Sequence, residues 1–430
     1  MASVYTTPSV LTGLFKEVYG DEQISLVPDM AKLQKLIPFV PKDKELGNKY
    51  HSNIVLTHEH GLSYAAVDAG AFALNDHLAM NTGDAQVQGS QMLLRSALSY
   101  DAASRASNSK KAFANASSMI VENMVESISK RLEVALLYGQ SAGGLGNGDT
   151  GAVSGTTVSL TVDAAAWAPG IFQGAEGARV SINKAGTVYG PFVINSVDFD
   201  TRILVLDEVT EAKGLDAGTG DTADIASSTD LKIHFFGSYS TGGSPVFREM
   251  IGLDKIITTS GTLFNISNST YGLWKGNEST VSGQLTIGKI LGELSKPISK
   301  GLDEDVVCLV NPDTWADLAT DIAALRTFDQ SYDAMKGENG VRSLVYHSQN
   351  GKIDIVSHSC VKAGEAFIIP PKRFKRIGAI DVTFKTPGRE EEIFFNLPDN
   401  AGYELRAYTD QALFPESVAK CLKISGFTNS

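Results

Sequence analysis

The sequence is poor in cysteine and lacks any long uninterrupted apolar run. Its three cysteines, Cys308, Cys360 and Cys421, are far apart and odd in number. This excludes a disulfide framework and fits a reducing compartment. No basic region in the N-terminal stretch is followed by an apolar run, and the uncharged stretch Ile256–Trp274 is rich in Ser, Thr and Asn. The sequence therefore predicts neither a secretory signal nor a membrane span.

Positive charge is also scarce. The chain has 37 Lys and Arg residues against 49 Asp and Glu residues, a net charge of −12. Nucleic-acid affinity along the whole chain is excluded, because phosphate neutralisation needs clustered cations. Charged residues make up 20% of the chain, against about 25% in typical soluble proteins. A chain with so little charge that remains polar through Ser, Thr, Asn and Gly is typical of proteins that bury surface against partners.

The 430 residues, 43% of them hydrophobic, predict two or three domains or one core with large insertions. Residues 1–46 contain short apolar patches separated by prolines. Such an arm cannot form its own core and must lie on another surface, in its own chain or in a neighbour. Residues 47–106 contain strand-like pieces at Ile54–Leu56 and Leu93–Leu94. The Gly/Asn/Asp-rich stretch Asn81–Asp84 lies between them, and the pattern predicts an extended hairpin with a long polar tip.

Helical and strand periodicities alternate in the rest of the chain. Apolar residues at three- and four-residue spacing predict one long helix over 112–138, and a glycine-rich loop follows to Gly155. Residues 156–237 alternate with period two and form a predicted all-β unit. Helical patterning returns at 285–296, and the apolar strand Val306–Val310 leads into a helix capped by Asn311 with Pro312 first. Asn350-Gly351 predicts a type I′ hairpin turn. The fold class is α+β.

Apparent catalytic motifs fail on their structural context. Ser141 lies in a nucleophile-elbow pattern, and Gly146–Gly151 matches a dinucleotide glycine pattern, but both follow a helix where a strand is required. Asp198, Asp200 and Asp207 lack the spacing of a calcium loop and are typical of an Asp-capped hairpin. The sequence predicts neither an enzyme nor a cofactor.

Two further clusters are candidate sites. His58 and His60 place two imidazoles on one face of a strand, but a metal centre needs a third ligand and no spacing supplies it. The one basic cluster consists of Lys372, Arg373, Lys375 and Arg376. It is a candidate for non-specific phosphate contact, or for ion pairs with Asp303–Asp305, with the Glu390–Glu392 run or with a neighbouring subunit.

The order of these segments resembles tailed-bacteriophage major capsid proteins with the Hong Kong 97 type fold. Gly252–Ile257 with Leu273–Lys275, and Cys308–Trp315, are similar to segments of such phage proteins. The resemblance rests on the order of elements over nearly the whole chain. It implies an N-terminal arm (1–46), an extended loop (47–106), a peripheral domain with a spine helix (107–155), an all-β insertion domain (156–237), the return to the peripheral domain (238–300), an axial domain (301–390) and C-terminal strands that rejoin the peripheral domain (391–430).

The resemblance implies a structural head protein that self-assembles into pentamers and hexamers of an icosahedral shell around double-stranded DNA. The expected partners are other copies of the chain, a separate scaffolding protein, the portal, decoration proteins and packaged DNA, with no membrane. The shell would form in the bacterial host cytoplasm, mature from a procapsid and end in the virion. Two alternatives stay open: an encapsulin-like nanocompartment shell, and a β-rich binding or adhesion protein built around 156–237.

Residues 50–109 contain no lysine, whereas some members of this family cross-link a lysine of the extended loop to a neighbour's asparagine. We therefore expect no isopeptide cross-link through this loop. Subunits from mature particles should run as a single band on a denaturing gel, and a covalent ladder would contradict this prediction.

Overall fold

The computed structural model describes residues 31–41, 49–101, 116–209, 225–240, 246–325, 344–385, 394–397 and 401–429. These residues form two compact units. The larger unit contains 31–41, 49–93, 128–209, 225–240, 246–325, 344–383 and 408–429. The smaller unit contains 94–101, 116–127, 384–385, 394–397 and 401–407.

Among the described residues, the long helices lie where the apolar spacing predicted helices. The long helix is confirmed from its first described residue and ends at Tyr138, directly before Gly139. Asn311 caps its helix as predicted, because its side-chain oxygen accepts a hydrogen bond of 3.1 Å from the backbone N–H of Asp313. The helices are α1 (Lys32–Leu36), α2 (Ala116–Tyr138), α3 (Pro169–Phe172), α4 (Leu253–Ile256), α5 (Ile287–Ser299) and α6 (Pro312–Leu325).

A six-stranded mixed sheet forms the centre of the larger unit. Its order is β15 (Asn277–Thr280), β23 (Leu422–Ser425), β19 (Glu365–Ile369), β16 (Val306–Val310), β18 (Lys352–Ser357) and β17 (Leu344–His347). All five residues of β16 are buried, since both faces of the sheet are covered. One face packs on α5 and α6 through residues such as Cys308 and Ile368. The other face joins the main core through Leu309 and Phe367.

A second part of the larger unit is a closed six-stranded barrel. Its strands are β5 (Gly146–Ser154), β6 (Thr157–Val162), β7 (Arg179–Lys184), β8 (Thr187–Asp198), β9 (Ile203–Glu208) and β10 (Leu231–Phe235), in the order β10-β5-β6-β9-β8-β7. Buried side chains such as Leu160, Ile182, Phe192 and Leu206 fill its interior.

The loop predicted up to Gly155 was wrong, because residues 146–154 form strand β5 of this barrel. Glycine at these positions lets the backbones of two neighbouring strands approach each other closely. A Cβ at Gly148 would lie 2.3 Å from the carbonyl oxygen of Thr161 on β6. The Gly-Asn-Gly-Asp-Thr-Gly run indicates a turn by composition, whereas pairing with β6 and β10 makes it a strand.

The remaining strands form a five-stranded sheet and three two-stranded pairs. The sheet contains β1 (Phe39–Pro41), β20 (Phe374–Thr383), β22 (Gly402–Pro415) and β21 (Phe394–Asn396) in that order, with β4 (Ser90–Ser99) also paired to β22. The pairs are β2 (Tyr50–Thr57) with β3 (Asn81–Val87), β11 (Tyr239–Ser240) with β12 (Val246–Phe247), and β13 (Thr262–Leu263) with β14 (Ile266–Ser267).

Two details of the predicted hairpins were wrong. The partner of β2 is β3, and Asn81–Asp84, which was predicted as a polar tip, lies in β3. The hairpin at Asn350-Gly351 exists, but four residues connect β17 to β18 because His347 pairs with Lys352. Neither Asn350 nor Gly351 has a positive φ, which a type I′ turn requires at both central positions.

Within the smaller unit, one buried carboxylate accepts hydrogen bonds from two arginines. Glu404 is 3% exposed, and its Oε1 accepts from Arg95 Nε at 2.9 Å and from Arg406 Nε at 2.5 Å. The hydrogen bond to Arg406 is the main cause of the lowered pKa of Glu404. Tyr100 and Tyr403 stack with ring centroids 5.9 Å apart. These contacts join β22 to β4 and to the residue that follows β4, and β21 pairs with β22 through its backbone.

The end of α2 depends on a backbone crossing that only glycine allows. Gly252 N–H donates to Gly139 O at 2.9 Å, and a Cβ at Gly139 would lie 2.2 Å from Met250 O and 2.5 Å from Ala135 O. Because both neighbours are backbone atoms, we expect Gly139→Ala to lower the free energy of unfolding by about 3 kcal/mol. Denaturant unfolding of the purified chain measures this.

Gly292→Ala is the matched control, since an added Cβ there meets nothing within 4 Å. That substitution lies inside α5 and should stabilise by up to about 1 kcal/mol. If both substitutions changed the free energy of unfolding equally, the backbone crossing would not be what restricts position 139 to glycine.

Candidate assembly surface

The ribbon of β2 and β3 is held to the body of the larger unit on one side. Antiparallel pairing runs from Tyr50 opposite Val87 to Thr57 opposite Asn81. The outer edge of β3 is fixed because Gln86 N–H donates to Phe264 O at 3.0 Å, and Asn81 Nδ2 donates to the Tyr271 hydroxyl at 2.7 Å. Residues 58–80, called the apical loop below, connect the two strands at the far end of this ladder.

Short-range hydrogen bonds give the apical loop a defined shape. His60 N–H donates to Leu78 O at 3.2 Å. Asn75 donates its backbone N–H to Ser63 Oγ at 2.7 Å and its side-chain amide to Leu62 O at 2.8 Å. The two sides of the loop are thus cross-linked near its root, and the residues between Ser63 and Asn75 form the tip.

Large apolar side chains of the apical loop face outward. Val67 is 93% exposed and Tyr64 is 85% exposed, and every residue of the loop except Ser63 is exposed. Exposed apolar patches are a common feature of surfaces through which proteins interact. The polar tip predicted from the sequence is therefore wrong in chemistry as well as in position. The exposed row consists of Leu62, Tyr64, Val67, Phe72, Leu74, Leu78 and Met80.

His58 and His60 both lie exposed at the root of the apical loop. Among the described residues, no group of three or more His, Cys, Asp or Glu side chains is arranged to hold a metal ion. The loop contains a third histidine, His77, and acidic residues at 59, 68 and 76, and it contains no lysine or arginine. The loop is therefore apolar and acidic.

The basic cluster lies among carboxylates of the larger unit. Arg373 Nε contacts Glu304 Oε1 at 2.6 Å, and Lys375 Nζ contacts Glu416 Oε1 at 2.5 Å. The hydrogen bond to Glu304 raises the pKa of Arg373. Lys372 is exposed, and the Glu390–Glu392 run lies outside the described residues. Arg373 and Lys375 are thus engaged in ion pairs within the chain.

Arg376, the fourth member of this cluster, is buried and binds residues 31–41, called the arm segment below. Its Nε donates to Ile37 O at 2.8 Å, and β1 pairs with β20 in parallel register, Phe39 opposite Arg376. Leu33 and Ile37 are completely buried. The arm segment therefore lies on its own chain; residues 1–30 and 42–48 are outside the described residues.

A buried carboxylate on α2 binds the other end of the arm segment. Glu133 is 0% exposed, and it accepts from the backbone N–H groups of Leu33 at 2.5 Å and Gln34 at 3.1 Å. His358 Nε2 lies 2.8 Å from the same carboxylate. Sequence reasoning missed this cluster; its one signal is a single acid inside the apolar run Leu132–Leu137.

The motifs set aside in the sequence have structural roles here. Ser141 is buried, and its hydroxyl donates to Asp254 Oδ2 at 2.6 Å. Asp198 caps its hairpin by accepting from the backbone N–H groups of Asp200 and Thr201 and from the Thr201 hydroxyl, the bond that chiefly lowers the pKa of Asp198. No helix in the described part of the chain is long and apolar enough to cross a membrane.

Solved structures share the fold. The capsid asymmetric unit of cyanophage A-1(L) matches over 99% of this chain and 100% of its own, with 12% identity and a TM-score of 0.57. The capsid of an empty GTA particle matches over 98% and 99%, with 7% identity and a TM-score of 0.51. An encapsulin complex from Synechococcus elongatus matches over 99% of this chain and 97% of its own, with 8% identity and a TM-score of 0.46. No protein-family model and no curated protein matches the sequence.

The chain therefore has the fold of tailed-phage major capsid proteins, a mixed α and β architecture rich in strands. At this level of identity, the likeness defines the fold alone.

Proposed function

We propose that this chain is a structural capsid protein that self-assembles into the icosahedral head of a tailed phage. The observation that carries the proposal is the exposed apolar row of the apical loop on a capsid fold. A two-stranded ribbon is marginally stable by itself. A partner that covers the apical loop would stabilise the ribbon as well as bury its apolar surface.

The partner is a second copy of the same chain. The ladder between β2 and β3 is seven to eight residues long, about 25 Å at 3.3 Å per residue. The apical loop lies at the far end of this ladder, and its large apolar side chains are exposed. A loop that contacts a different patch on the next copy makes a heterologous contact, and such contacts close into rings when the rotation permits. Pentamers and hexamers are the rings that an icosahedral shell needs.

The shell would enclose double-stranded DNA without holding it tightly. The net charge is −12, and Arg373 and Lys375 already contact carboxylates. Low affinity of the wall for DNA follows from this balance. We extend the proposal to a separate scaffolding protein, a portal and decoration proteins as partners, and to assembly in the host cytoplasm. The domain boundaries and the axial-domain role given above for 301–390 belong to the same proposal, except that the all-β domain begins at Gly146, the first residue of β5.

Negative-stain electron microscopy with light scattering of the native material tests the proposal. Closed shells or capsomer rings are expected, and DNA recovered from native particles would support a phage head over a nanocompartment. If co-expression with candidate scaffolding proteins gives only monomers or small oligomers, the shell proposal is wrong. The 156–237 unit would then be tested as a binding module.

A further inference from the structure

The contact between Glu133 and the arm segment depends on one protonation state. Both oxygens of the buried carboxylate act as acceptors: Oε1 for Leu33 N–H and His358, Oε2 for Gln34 N–H. His358 is 1% exposed. Its Nδ1 accepts from Cys360 N–H at 3.1 Å. The proton of the neutral ring is therefore on Nε2, which donates to Glu133.

A proton added to either group would place two hydrogen-bond donors opposite each other, with no acceptor between them. On Glu133 it would turn one acceptor oxygen into a hydroxyl that faces a backbone N–H. On His358 it would go to Nδ1, where it would face Cys360 N–H. The change on Glu133 disfavours the bound arm segment directly, because Leu33 or Gln34 N–H loses its acceptor. The change on His358 takes the acceptor from Cys360 N–H and so disturbs the ring that donates to Glu133.

The groups around this pair are mostly cationic. From the arm segment, Lys32 Nζ donates to Ser357 O at 2.7 Å. From α2, Lys130 donates to Gln173 O, and burial lowers the pKa of Lys130 to about 8. From β20, Arg376 interacts electrostatically with Glu133. Cys360, beside the histidine, is a buried thiol whose pKa is raised to about 12 by burial.

We propose that the arm segment is a proton-linked switch, bound to its own chain when Glu133 is ionised and His358 neutral, and released when the pair takes up a proton. Two of the three donors to the carboxylate belong to the arm segment. Release and proton uptake are therefore coupled at this site. Release would free Leu33, Ile37 and the β1 edge for another contact. The proposal stands independently of shell assembly, because it concerns the single chain.

Hydrogen exchange of the unassembled full-length chain, followed by mass spectrometry from pH 8 to pH 4.5, tests the proposal. After correction for intrinsic exchange, protection of the Leu33 and Gln34 amides should fall by up to about tenfold per pH unit for one linked proton. The amides of β16 should keep their protection over the same range, which shows that opening is local. A wild-type arm segment whose protection does not change with pH overturns the proposal.

Glu133→Gln removes the ionisable acceptor, so we expect low protection of the arm segment at every pH and no slope. Glu126→Gln is the control, an exposed acid on the same helix, and it should behave like the wild type. If Glu133→Gln behaves like the wild type, the proposal is wrong.

His358→Gln gives a second test that does not depend on Glu133→Gln folding. A glutamine there can donate to Glu133 and accept from Cys360 N–H, but it cannot take up the proton. The arm segment should remain bound at neutral pH with a weaker acid response. A response equal to that of the wild type would exclude His358 from the switch.

Discussion

Val67→Asp together with Leu74→Asp should abolish shell formation and leave the chain folded. The two side chains are 93% and 79% exposed, so the fold of the single chain does not depend on them. Burial of each against a neighbour would contribute about 1.5–3 kcal/mol, and an aspartate adds a desolvation penalty instead. Because every copy in a ring makes the same contact, the loss is repeated at each interface. Light scattering and negative-stain microscopy measure assembly, and circular dichroism reports the fold.

Val246→Asp with Val345→Asp is the matched control. These apolar residues outside the apical loop are 49% and 48% exposed, and the change in charge is the same. We expect this variant to form shells. Shells from the apical-loop variant would exclude the loop as an assembly contact, and loss of shells from both variants would point to added charge as the cause.

Local patterns in the sequence predicted the elements that are stabilised by contacts between residues close in sequence. Apolar spacing defined α2, and the Asn311-Pro312 pair marked the start of α6 because capping needs only adjacent residues. Strand β3 was missed for the opposite reason. Its Asn-Thr-Gly-Asp segment has turn composition, and it is extended because β2 and Phe264 O supply its hydrogen bonds.

The binding surface of the arm segment could not be predicted from local patterns. Glu133 is separated by 225 residues from His358 and by 100 from Leu33, and no periodicity links such positions. The apolar residues of the apical loop can be read from the sequence, where they are scattered. Their exposure could not be predicted, because it depends on whether the folded chain packs anything against the loop. Sequence thus predicted the class of fold, whereas the contact surfaces needed coordinates.

Lys423→Met should lower the free energy of unfolding by about 3–5 kcal/mol, because it leaves two largely buried carboxylates without their shared cation. Lys423 Nζ contacts Asp254 and lies 2.9 Å from Glu365 Oε1, and all three side chains are less than 20% exposed. Although burial alone would lower the pKa of Lys423, Glu365 and Asp254 raise it above its ordinary value. Denaturant unfolding of the unassembled chain measures the loss.

Lys375→Met is the control, since Lys375 is 43% exposed and its ion pair with Glu416 is solvated. We expect a loss below about 1 kcal/mol there. Adding Asp254→Asn and Glu365→Gln to Lys423→Met removes the uncompensated charge and should recover most of the stability. If the triple variant is as unstable as Lys423→Met, packing of the lysine stem and not charge is the cause.

Acid should weaken the same network from the Asp254 side. Burial would raise the pKa of Asp254, but Lys423 lowers it below the ordinary value. A carboxyl group with a lowered pKa in the folded state contributes stability that is complete above its unfolded value of about 3.9 and is lost as the pH falls through the folded value. The difference in stability between the wild type and the triple variant should therefore be constant from pH 5 to pH 8 and shrink below about pH 4. A difference that stays constant down to pH 2.5 would mean that Asp254 is not held ionised by Lys423.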